Sequence, residues 1–386
     1  MPKRILIFST AYFPLVGGAE VAVKEITNRL PEFEFVMLTA KIKPELQSVE
    51  KIGNVEVHRI GKGNHWDKFR LIWSGWKEAK KLGKFNAVWS IMASYSGFAA
   101  LRFKKRNPSV PFLLTLQEGD SRYQIYKHVW WCWLYFKQIF KRANHVQAIS
   151  TYLAKWARSL GATCPVEVVP NGVEIERFNS SVIARKPAMG GLTRQSHYFQ
   201  CDCNKRIITV SRLVKKNGLE DLISALQFLP DTTHVVIAGE GELKPALTAL
   251  TEKLQLTNRV HFLGTIENNQ LPQYLWASDV FCRPSLSEGL GIAFLEAMAA
   301  GVPVVATNVG GISDFLNEGE TGLFCKVRDP KDIAEKINRI LNDQALAEKL
   351  RTNGLKLVQE KYSWDTVAQS MKTIFNNLSE SVSQSV

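Results

Sequence analysis

Residues 284–314 read PSLSEGLGIAFLEAMAAGVPVVATNVGGISD, and no other stretch of the sequence is as informative about the fold. Gly289 and Gly291 flank a turn, after which an apolar, Ala-rich helix is predicted from about Ile292 to the residue before Gly301. A glycine-rich turn that leads into a helix exposes backbone N–H groups at the positive end of the helix dipole. The stretch therefore predicts an anion-binding site at the start of a helix.

Two acidic residues frame this turn. Glu288 precedes the glycines, and Glu296 lies inside the helix. A carboxylate repels a phosphate, so we interpret these side chains as acceptors of hydrogen bonds from hydroxyl groups on either side of it. Eight residues at the helical rise cover roughly 12 Å, which suits a sugar, a diphosphate and a ribose in line. The spacing alone is also compatible with a solvated acidic face on an ordinary helix.

The wider sequence adds a family resemblance. Glu288-Gly-Leu-Gly followed by Phe294-Leu-Glu-Ala-Met-Ala-Ala-Gly-Val-Pro-Val-Val-Ala resembles the donor-site signature of GT-B glycosyltransferases of family 4, the glycosyl transferases group 1. The resemblance covers most of the chain and is strongest over residues 207–324. It implies an α/β protein with the GT-B fold, in which two Rossmann-like doubly wound domains face a central cleft. It also implies a retaining glycosyltransferase that moves a hexosyl or N-acetylhexosaminyl group from a UDP-sugar or GDP-sugar donor.

The resemblance assigns roles to residues of this stretch. Glu288 is expected in the catalytic centre, where it holds the hydroxyls of the donor sugar, and Glu296 is expected to bind the ribose. In the same family a glycine pair after the first strand, here Gly17 and Gly18, faces the donor diphosphate, although a tight turn alone also explains it. The diphosphate is further expected to bind the backbone of Gly289, Leu290, Gly291 and Ile292.

The loop after the predicted strand Ile207–Val210 supplies a second contact to the diphosphate. Arg212 offers a fork of donors at the carboxyl end of that strand. Family members place a lysine five positions after this arginine, whereas this chain has Asn217 there and a lysine at Lys216. Either Lys216 reaches the phosphates or Asn217 hydrogen-bonds them as a neutral group.

Two more positions complete the predicted site. Leu263 is expected, with the residues up to Ile266, to line the pocket of the nucleotide base. Gln117 follows the predicted strand Phe112–Leu116 at the place where the family commonly has a histidine. Glutamine cannot accept a proton as a base, but it can hydrogen-bond a sugar hydroxyl. In the resembled enzymes the leaving diphosphate assists deprotonation of the acceptor, so Gln117 is still expected in the catalytic centre.

The departures at Gln117 and Asn217 keep one alternative open, a catalytically silent GT-B protein that binds a sugar nucleotide or a partner enzyme. A second alternative is a sugar-nucleotide epimerase on the same fold. No Asp-x-Asp motif occurs in the sequence, and such paired oxygen ligands are what Mg²⁺ or Mn²⁺ needs to hold a sugar nucleotide. We therefore expect no metal site and no cofactor besides the donor substrate.

Alternating strand-like and helix-like segments predict two doubly wound domains in series. Residues 1–175 are the predicted acceptor-binding domain, and residues 176–362 are the predicted nucleotide-sugar-binding domain. The irregular segment 179–205 is predicted as a linker or insertion. Residues 363–386 are predicted as a final helix that crosses back to the first domain, followed by a tail. The aromatic run 122–142 is predicted as one helix.

The basic charge is concentrated in the first half of the chain. Residues 1–180 contain 27 Lys and Arg against 14 Asp and Glu, whereas residues 181–386 contain 22 of each. This asymmetry predicts an anionic partner for the first half. The aromatic residues and lysines of 122–142 favour an anionic membrane surface, although packing into the core is the alternative for this segment. No nucleic-acid-binding signature occurs, so nucleic acid is not expected as a partner.

The acceptor and the location follow from these features. With a membrane surface as partner, the predicted acceptor is a lipid-linked or cell-envelope glycan. No apolar run approaches the ~20 residues of a transmembrane helix, and the six cysteines are scattered except for Cys201 and Cys203. These observations predict reduced thiols in a cytoplasmic protein that is peripheral on the inner face of the plasma membrane.

Overall fold

The computed structural model describes residues 2–179 and 205–383. The chain divides into two compact units: unit 1 holds residues 1–172 and 364–386, and unit 2 holds residues 173–363. The segment predicted as a linker or insertion, 179–205, lies almost wholly outside the described residues.

The strands of unit 1 form one eight-stranded sheet. They are β1 (Lys3–Phe8), β2 (Phe33–Ala40), β3 (Val49–Ile52), β4 (Val55–Ile60), β5 (Ala87–Ile91), β6 (Phe112–Leu116), β7 (His145–Ala148) and β8 (Val166–Val168). Their order is β3-β4-β2-β1-β5-β6-β7-β8. Only β3 and β4 pair antiparallel among these strands, and the other neighbours pair in parallel. The inner strands are continuous apolar runs because both faces of the sheet are covered.

The edge strand β3 was not predicted from the sequence. Its four residues, VEKI, alternate between exposed and half-buried side chains. A tight turn at Gly53, which has a φ of +57°, returns the chain to β4. A short edge strand with charged side chains has few apolar residues. The continuous apolar runs that identify the inner strands are therefore absent from β3.

The helices of unit 1 cover this sheet. They are α1 (Gly18–Asn28), α2 (Asp67–Lys81), α3 (Tyr95–Arg106), α4 (Arg122–Val129), α5 (Trp133–Arg142), α6 (Thr151–Ser159) and the C-terminal α14 (Trp364–Ser383). The last of these packs on the strands through Phe375, whose ring centroid lies 5.6, 5.9 and 5.2 Å from those of Phe33, Phe35 and Trp89. Aromatic burial of this kind holds the C-terminal helix in the core of unit 1.

The prediction of a single helix over 122–142 was wrong. A 3-10 turn at Trp130–Cys132 separates α4 from α5. In α5, Phe136, Ile139 and Phe140 are buried, whereas α4 buries no residue. The sequence is apolar on all sides in this region, so it has no single apolar face whose interruption could mark the break. The segment is therefore core over its second half and exposed around the turn.

The strands of unit 2 form a six-stranded sheet whose neighbours are all parallel. They are β9 (Lys205–Val210), β10 (Thr233–Ala238), β11 (Val260–Gly264), β12 (Val280–Arg283), β13 (Val304–Thr307) and β14 (Leu323–Cys325). The helices of this unit are α7 (Ile175–Asn179), α8 (Leu219–Ala225), α9 (Lys244–Lys253), α10 (Leu271–Trp276), α11 (Ile292–Ala299), α12 (Pro330–Asn342) and α13 (Gln344–Lys361).

The strand order of unit 2 fixes where a ligand would bind. The order is β11-β10-β9-β12-β13-β14, so the chain proceeds outward in one direction from β9 and in the other from β12. In doubly wound sheets, ligands bind beyond the carboxyl ends of the strands at such a switch point. The loop after β9 carries Arg212 and the loop after β12 carries Glu288, so the fold brings both predicted site residues to this edge.

Candidate active site

The glycine turn before α11 has the geometry that the sequence predicts. Gly291 is the N-cap of α11 and has a φ of +97°, a conformation that L side chains rarely adopt. A Cβ on Gly291 would lie 2.5 Å from Cδ2 of Phe294. The helix begins at Ile292, and its first backbone N–H groups have no partner inside the helix. Leu290 is buried and anchors the turn, while the backbone amides of the turn remain at the carboxyl edge of the sheet.

Glu288 is held in place through both carboxylate oxygens. The backbone N–H of Gly289 donates to Oε1 at 3.0 Å, and Nη2 of Arg283 donates to Oε2 at 2.6 Å. Arg283 is the last residue of β12 and is buried; its Nη1 donates to the carbonyl of Val210 and its Nε to Oγ of Ser285. Glu288 is therefore a fixed charge at the switch point of the sheet.

Arg283 is a site residue that the sequence analysis missed. Burial lowers the pKa of its guanidinium, and the nearby Glu288 and Glu296 raise it. The Cζ atom of Arg283 lies 4.3 Å from the ring centroid of Phe294, a residue of α11. The guanidinium charge is therefore enclosed by α11 as well as by the carboxylate of Glu288. An arginine directly after a buried strand, five residues before Glu288, is the signal that could have identified it.

Glu296 also has a basic partner that the sequence analysis missed. Nη2 of Arg177, from α7, donates to Oε1 of Glu296 at 3.1 Å. Burial raises the pKa of Glu296 to about 7, and Arg177 and Arg283 oppose that rise. The Nε of Arg177 is buried and has no hydrogen-bond partner among the described residues. A carboxyl group with this pKa changes its protonation near neutral pH, and its capacity to accept a hydrogen bond from a hydroxyl group changes with it.

The three polar residues predicted to bind the diphosphate have different surroundings in the loop after β9. Asn217 is buried, and its Nδ2 donates to the carbonyl of Arg212 at 2.6 Å, so the amide group stabilises the loop itself. The carbonyl of Lys216 accepts from the N–H of Leu286, which joins this loop to the one that carries Glu288. Arg212 is exposed. The contacts of Arg212, Lys216 and Asn217 with a diphosphate stay predictions.

A cavity of about 280 Å³ lies at the carboxyl ends of β9, β10 and β11. Thr265 and Ile266, two of the residues predicted around the base, line it, whereas Leu263 lies within β11 and does not. Arg212 lines the same cavity, so the predicted base pocket and diphosphate loop are adjacent. The other lining residues are Val210, Ser211, Ala238, Gly239, Glu240, Asn268 and Leu271.

Gln117 lies at the carboxyl end of β6 in unit 1. Nδ2 of Asn171 donates to Oε1 of Gln117 at 3.1 Å, and Asn171 is itself buried. The Asn171 contact orients the glutamine so that its amide N–H₂ remains the group available to a ligand oxygen. Its expected place in the catalytic centre stays a prediction.

The turn at Gly17 and Gly18 is exposed and starts α1. The carboxylate of Glu20 accepts a hydrogen bond from the backbone of Gly17, and burial raises its pKa. A Cβ on Gly17 would lie 2.8 Å from Oε2 of Glu20. Glu20 thus caps the helix at this turn. The contact of Gly17 and Gly18 with a diphosphate stays a prediction.

Across residues 2–179 and 205–383, no group of three or more His, Cys, Asp or Glu side chains is arranged to hold a metal ion. Over the same part of the chain, no helix combines the length and the apolar character that crossing a membrane requires.

Family models match both halves of the chain. The model described as Glycosyltransferase Family 4 matches residues 16–177, and the model described as Glycosyl transferases group 1 matches residues 202–357. An uncharacterized glycosyltransferase of Methanocaldococcus jannaschii is 35% identical over 176 residues, an alignment that spans 45% of this chain and 45% of the relative. A second one from that organism is 25% identical over 382 residues and spans 97% of this chain and 99% of the relative.

A relative with a named activity is similar over a shorter span. The GDP-mannose-dependent alpha-(1-6)-phosphatidylinositol monomannoside mannosyltransferase of Mycobacterium tuberculosis is 30% identical over 250 residues, which span 61% of this chain and 63% of the relative. The alignments with this protein and with the first archaeal relative thus leave more than a third of each relative unmatched.

Solved structures show the fold. Sucrose-phosphate synthase from Thermosynechococcus elongatus superposes with a TM-score of 0.84 at 22% identity, and covers 97% of this chain and 99% of that one. Anabaena HepE, crystallised with UDP and glucose, gives a TM-score of 0.78 at 19% identity, and covers 97% of this chain and 100% of that one. The family models and these structures confirm the predicted fold and class, and the chain belongs to the GT-B glycosyltransferases of family 4.

Proposed function

We propose that this protein is a retaining glycosyltransferase that moves a hexosyl or N-acetylhexosaminyl group from a UDP-sugar or GDP-sugar to a lipid-linked or cell-envelope glycan. The observation that carries the proposal is the fixed carboxylate of Glu288, which both Arg283 and Gly289 orient directly before the amides of α11. A rigid hydrogen-bond acceptor beside an anion-binding helix start suits a sugar whose anomeric carbon is attached to a diphosphate.

Different residues of unit 2 bind different parts of the donor. Arg212, Lys216 and the amides of Gly289 to Ile292 stabilise the diphosphate, and the 280 Å³ cavity beside Arg212 takes the base. Glu296 accepts a hydrogen bond from the ribose, with Arg177 orienting its carboxyl group. Glu288 binds hydroxyls of the donor sugar. These contacts with the donor need no resident cofactor and no metal ion.

The proposed chemistry forms one bond and breaks one. The acceptor hydroxyl oxygen bonds to the anomeric carbon of the donor, and the bond from that carbon to the diphosphate breaks. The hydroxyl proton passes to a diphosphate oxygen, so no protein base is required and Gln117 can serve as a hydrogen-bonding group. Arg212 and the amides at the start of α11 stabilise the negative charge that develops on the leaving diphosphate.

The acceptor assignment rests on charge and on a relative. The excess of basic residues in the first half supports an anionic membrane surface as partner, with the enzyme peripheral on its cytoplasmic side. The M. tuberculosis relative is named for transfer to a phosphatidylinositol mannoside, which is a lipid-linked acceptor. This similarity supports a lipid-linked acceptor here without fixing its sugar.

The proposal is tested by incubating the protein with a panel of UDP-sugars and GDP-sugars, with and without membrane-lipid extracts. Free nucleotide and a glycosylated lipid of the same anomeric configuration as the donor are the expected products. Nucleotide binding without turnover across the whole panel would indicate a silent GT-B protein. Conversion of the sugar nucleotide without an acceptor would indicate an epimerase, and a product of opposite configuration would contradict retention.

A further inference from the structure

Unit 1 contains a groove of about 1400 Å³ that the proposed donor site does not use. One face of α3 lines it through Tyr95, Phe98 and Arg102, which recur at helical spacing. Side chains of α2 and of the segment from α4 to α5 line it from other directions. Pockets for drug-sized ligands hold about 300–1000 Å³, so this groove has room for a longer molecule.

Three cations of α3 follow one another along the groove. Arg102 stacks on Trp73 at 4.2 Å, Arg106 stacks on Trp76 at 4.1 Å, and Nζ of Lys105 lies 4.7 Å from the ring centroid of Tyr135. Among the described residues, no carboxylate forms an ion pair with any of the three cations. Stacking on a ring leaves the in-plane N–H donors of a guanidinium at its edge, where an anion can bind them. One of these donors is already used in Arg106, whose Nη1 donates to the carbonyl of Arg102 at 3.1 Å.

The side chain of Arg102 carries a direct sign of a missing partner. Its Nε is buried, and no hydrogen-bond acceptor in the described part of the chain reaches it. A buried donor that is left unpaired is destabilising, and a bound anion would relieve that cost. Phosphate is the anion that fits a cluster of one lysine and two arginines with aromatic neighbours.

The end of the groove nearest the sheet is polar. Glu118 follows β6 and is only 7% exposed; its Oε1 accepts from the backbone N–H of Ala93 at 2.6 Å. The other oxygen, Oε2, is buried and has no hydrogen-bond partner among the described residues. Burial raises the pKa of this carboxyl group to about 7. Glu118 lines the groove, and a carboxyl oxygen without a partner is suited to a hydroxyl group of a ligand.

The other end is apolar and exposed. Trp130, Trp131 and Leu134 line the groove and are 74%, 70% and 80% exposed. Large apolar side chains rimmed by basic residues are typical of surfaces that contact lipid. Tyr95 and Arg102 are seven residues apart on α3, or roughly 10 Å, so the face of α3 that lines the groove is about as long as a sugar with its phosphate.

We propose that this groove binds the acceptor as a single lipid molecule that carries a phosphate. Its sugar hydroxyl lies at Glu118, its phosphate at Arg102, Lys105 and Arg106, and its chain against Trp130, Trp131 and Leu134. The inference rests on the proposed transfer to a lipid-linked glycan, and it adds the phosphate and the place where the lipid binds.

Calorimetry with farnesyl phosphate, without vesicles and below its micelle concentration, tests the inference on the full-length protein. Farnesyl phosphate is expected to bind at least tenfold more tightly than farnesol or inorganic phosphate. The double variant Arg102→Gln with Lys105→Gln should weaken its binding at least tenfold. The single variant Lys105→Gln changes only an exposed side chain, so a loss of binding in it is not explained by misfolding. It should weaken binding at least threefold.

The control variant is Lys80→Gln with Lys84→Gln, which removes two exposed lysines of the same unit outside the groove. It should bind farnesyl phosphate as the wild type does. Equal binding of farnesol and farnesyl phosphate, or equal weakening in the control, overturns the phosphate site. Binding of anionic vesicles without binding of farnesyl phosphate overturns the groove in favour of a general membrane surface.

This assay contains no sugar donor, so its result is independent of catalysis. A protein that transfers sugar to a water-soluble acceptor but does not bind farnesyl phosphate would contradict the groove and leave glycosyl transfer intact. A protein that binds farnesyl phosphate but releases no nucleotide from any donor would contradict the proposed function and retain the lipid site.

Discussion

Arg283 and Glu288 form a buried ion pair, with 2.6 Å between Nη2 and Oε2, at the switch point of the unit 2 sheet. The arginine comes from the end of β12, and the glutamate comes from the loop that β12 leads into. Because both charges are largely removed from water, each depends on the other for its stability. The pair therefore links the folding of unit 2 to the orientation of the carboxylate proposed to bind the donor sugar.

Replacing Arg283 by Gln is expected to lower the free energy of unfolding by about 3 kcal/mol, because the largely buried carboxylate of Glu288 loses its charged partner and keeps only the N–H of Gly289. Urea denaturation measures the change. The control is Arg351→Gln, which removes a surface pair with Glu348 and should cost no more than about 1 kcal/mol. A loss for Arg283→Gln no larger than for the control would contradict a buried, mutually dependent pair.

The affinity for a nucleotide sugar is expected to rise as the pH increases from 6 to 8. The pKa of Glu296 is raised to about 7, so the carboxyl group gains its charge in this window and becomes a better acceptor for a ribose hydroxyl. A nucleotide sugar is the appropriate probe because its diphosphate has no terminal phosphate to titrate. Calorimetry at a series of pH values measures the effect.

The matched variant for this pH effect is Glu296→Gln, which should bind with little dependence on pH. Glu118→Gln alters a second carboxyl group, whose pKa burial also raises to about 7, and should retain the rise in affinity. An unchanged pH profile in Glu296→Gln would assign the effect to a different group.

Replacing Arg212 by Gln is expected to weaken nucleotide-sugar binding about tenfold or more, because hydrogen bonds to a charged group contribute about 1.5–3 kcal/mol. Lys215, an exposed lysine of the same loop, provides the control: Lys215→Gln should change the affinity less than twofold. Equal losses in the two variants would mean that only the overall charge of the loop matters.

Chelation separates the proposed leaving-group stabilisation from a metal-dependent alternative. With Arg212 and the amides of α11 carrying the diphosphate, the transfer rate in excess EDTA is expected to stay within twofold of the untreated rate. Nucleotide release measures it. A rate that falls in EDTA and returns on adding Mg²⁺ or Mn²⁺ would show that a metal ion holds the diphosphate.

The sequence predicted those parts of the fold and site that local patterns determine. The inner strands are continuous apolar runs, and the glycines around Leu290 require the turn that the structure has, so both could be predicted from neighbouring residues alone. The resemblance then placed Glu288 and Glu296 in a known fold. None of these inferences needed contacts between distant parts of the chain.

The parts that could not be predicted depend on long-range contacts. Arg177 meets Glu296 across 119 positions of the chain, and no local pattern encodes that pairing. Asn217 was one of two alternatives for a phosphate contact, and its place in the motif does not indicate that its amide donates to the carbonyl of Arg212 within the loop. The groove along α3 likewise depends on how α2 and α5 pack around it, which the periodicity of each helix does not specify.

The variant Glu288→Ala tests most directly whether Glu288 binds the donor sugar and not the nucleotide. The transfer rate should fall at least a hundredfold, as expected for a group that supports the transition state, while the Kd for the free nucleotide diphosphate stays within twofold. Glu252→Ala, an exposed glutamate of unit 2, is the control and should leave both values unchanged. Wild-type transfer by Glu288→Ala would contradict the account.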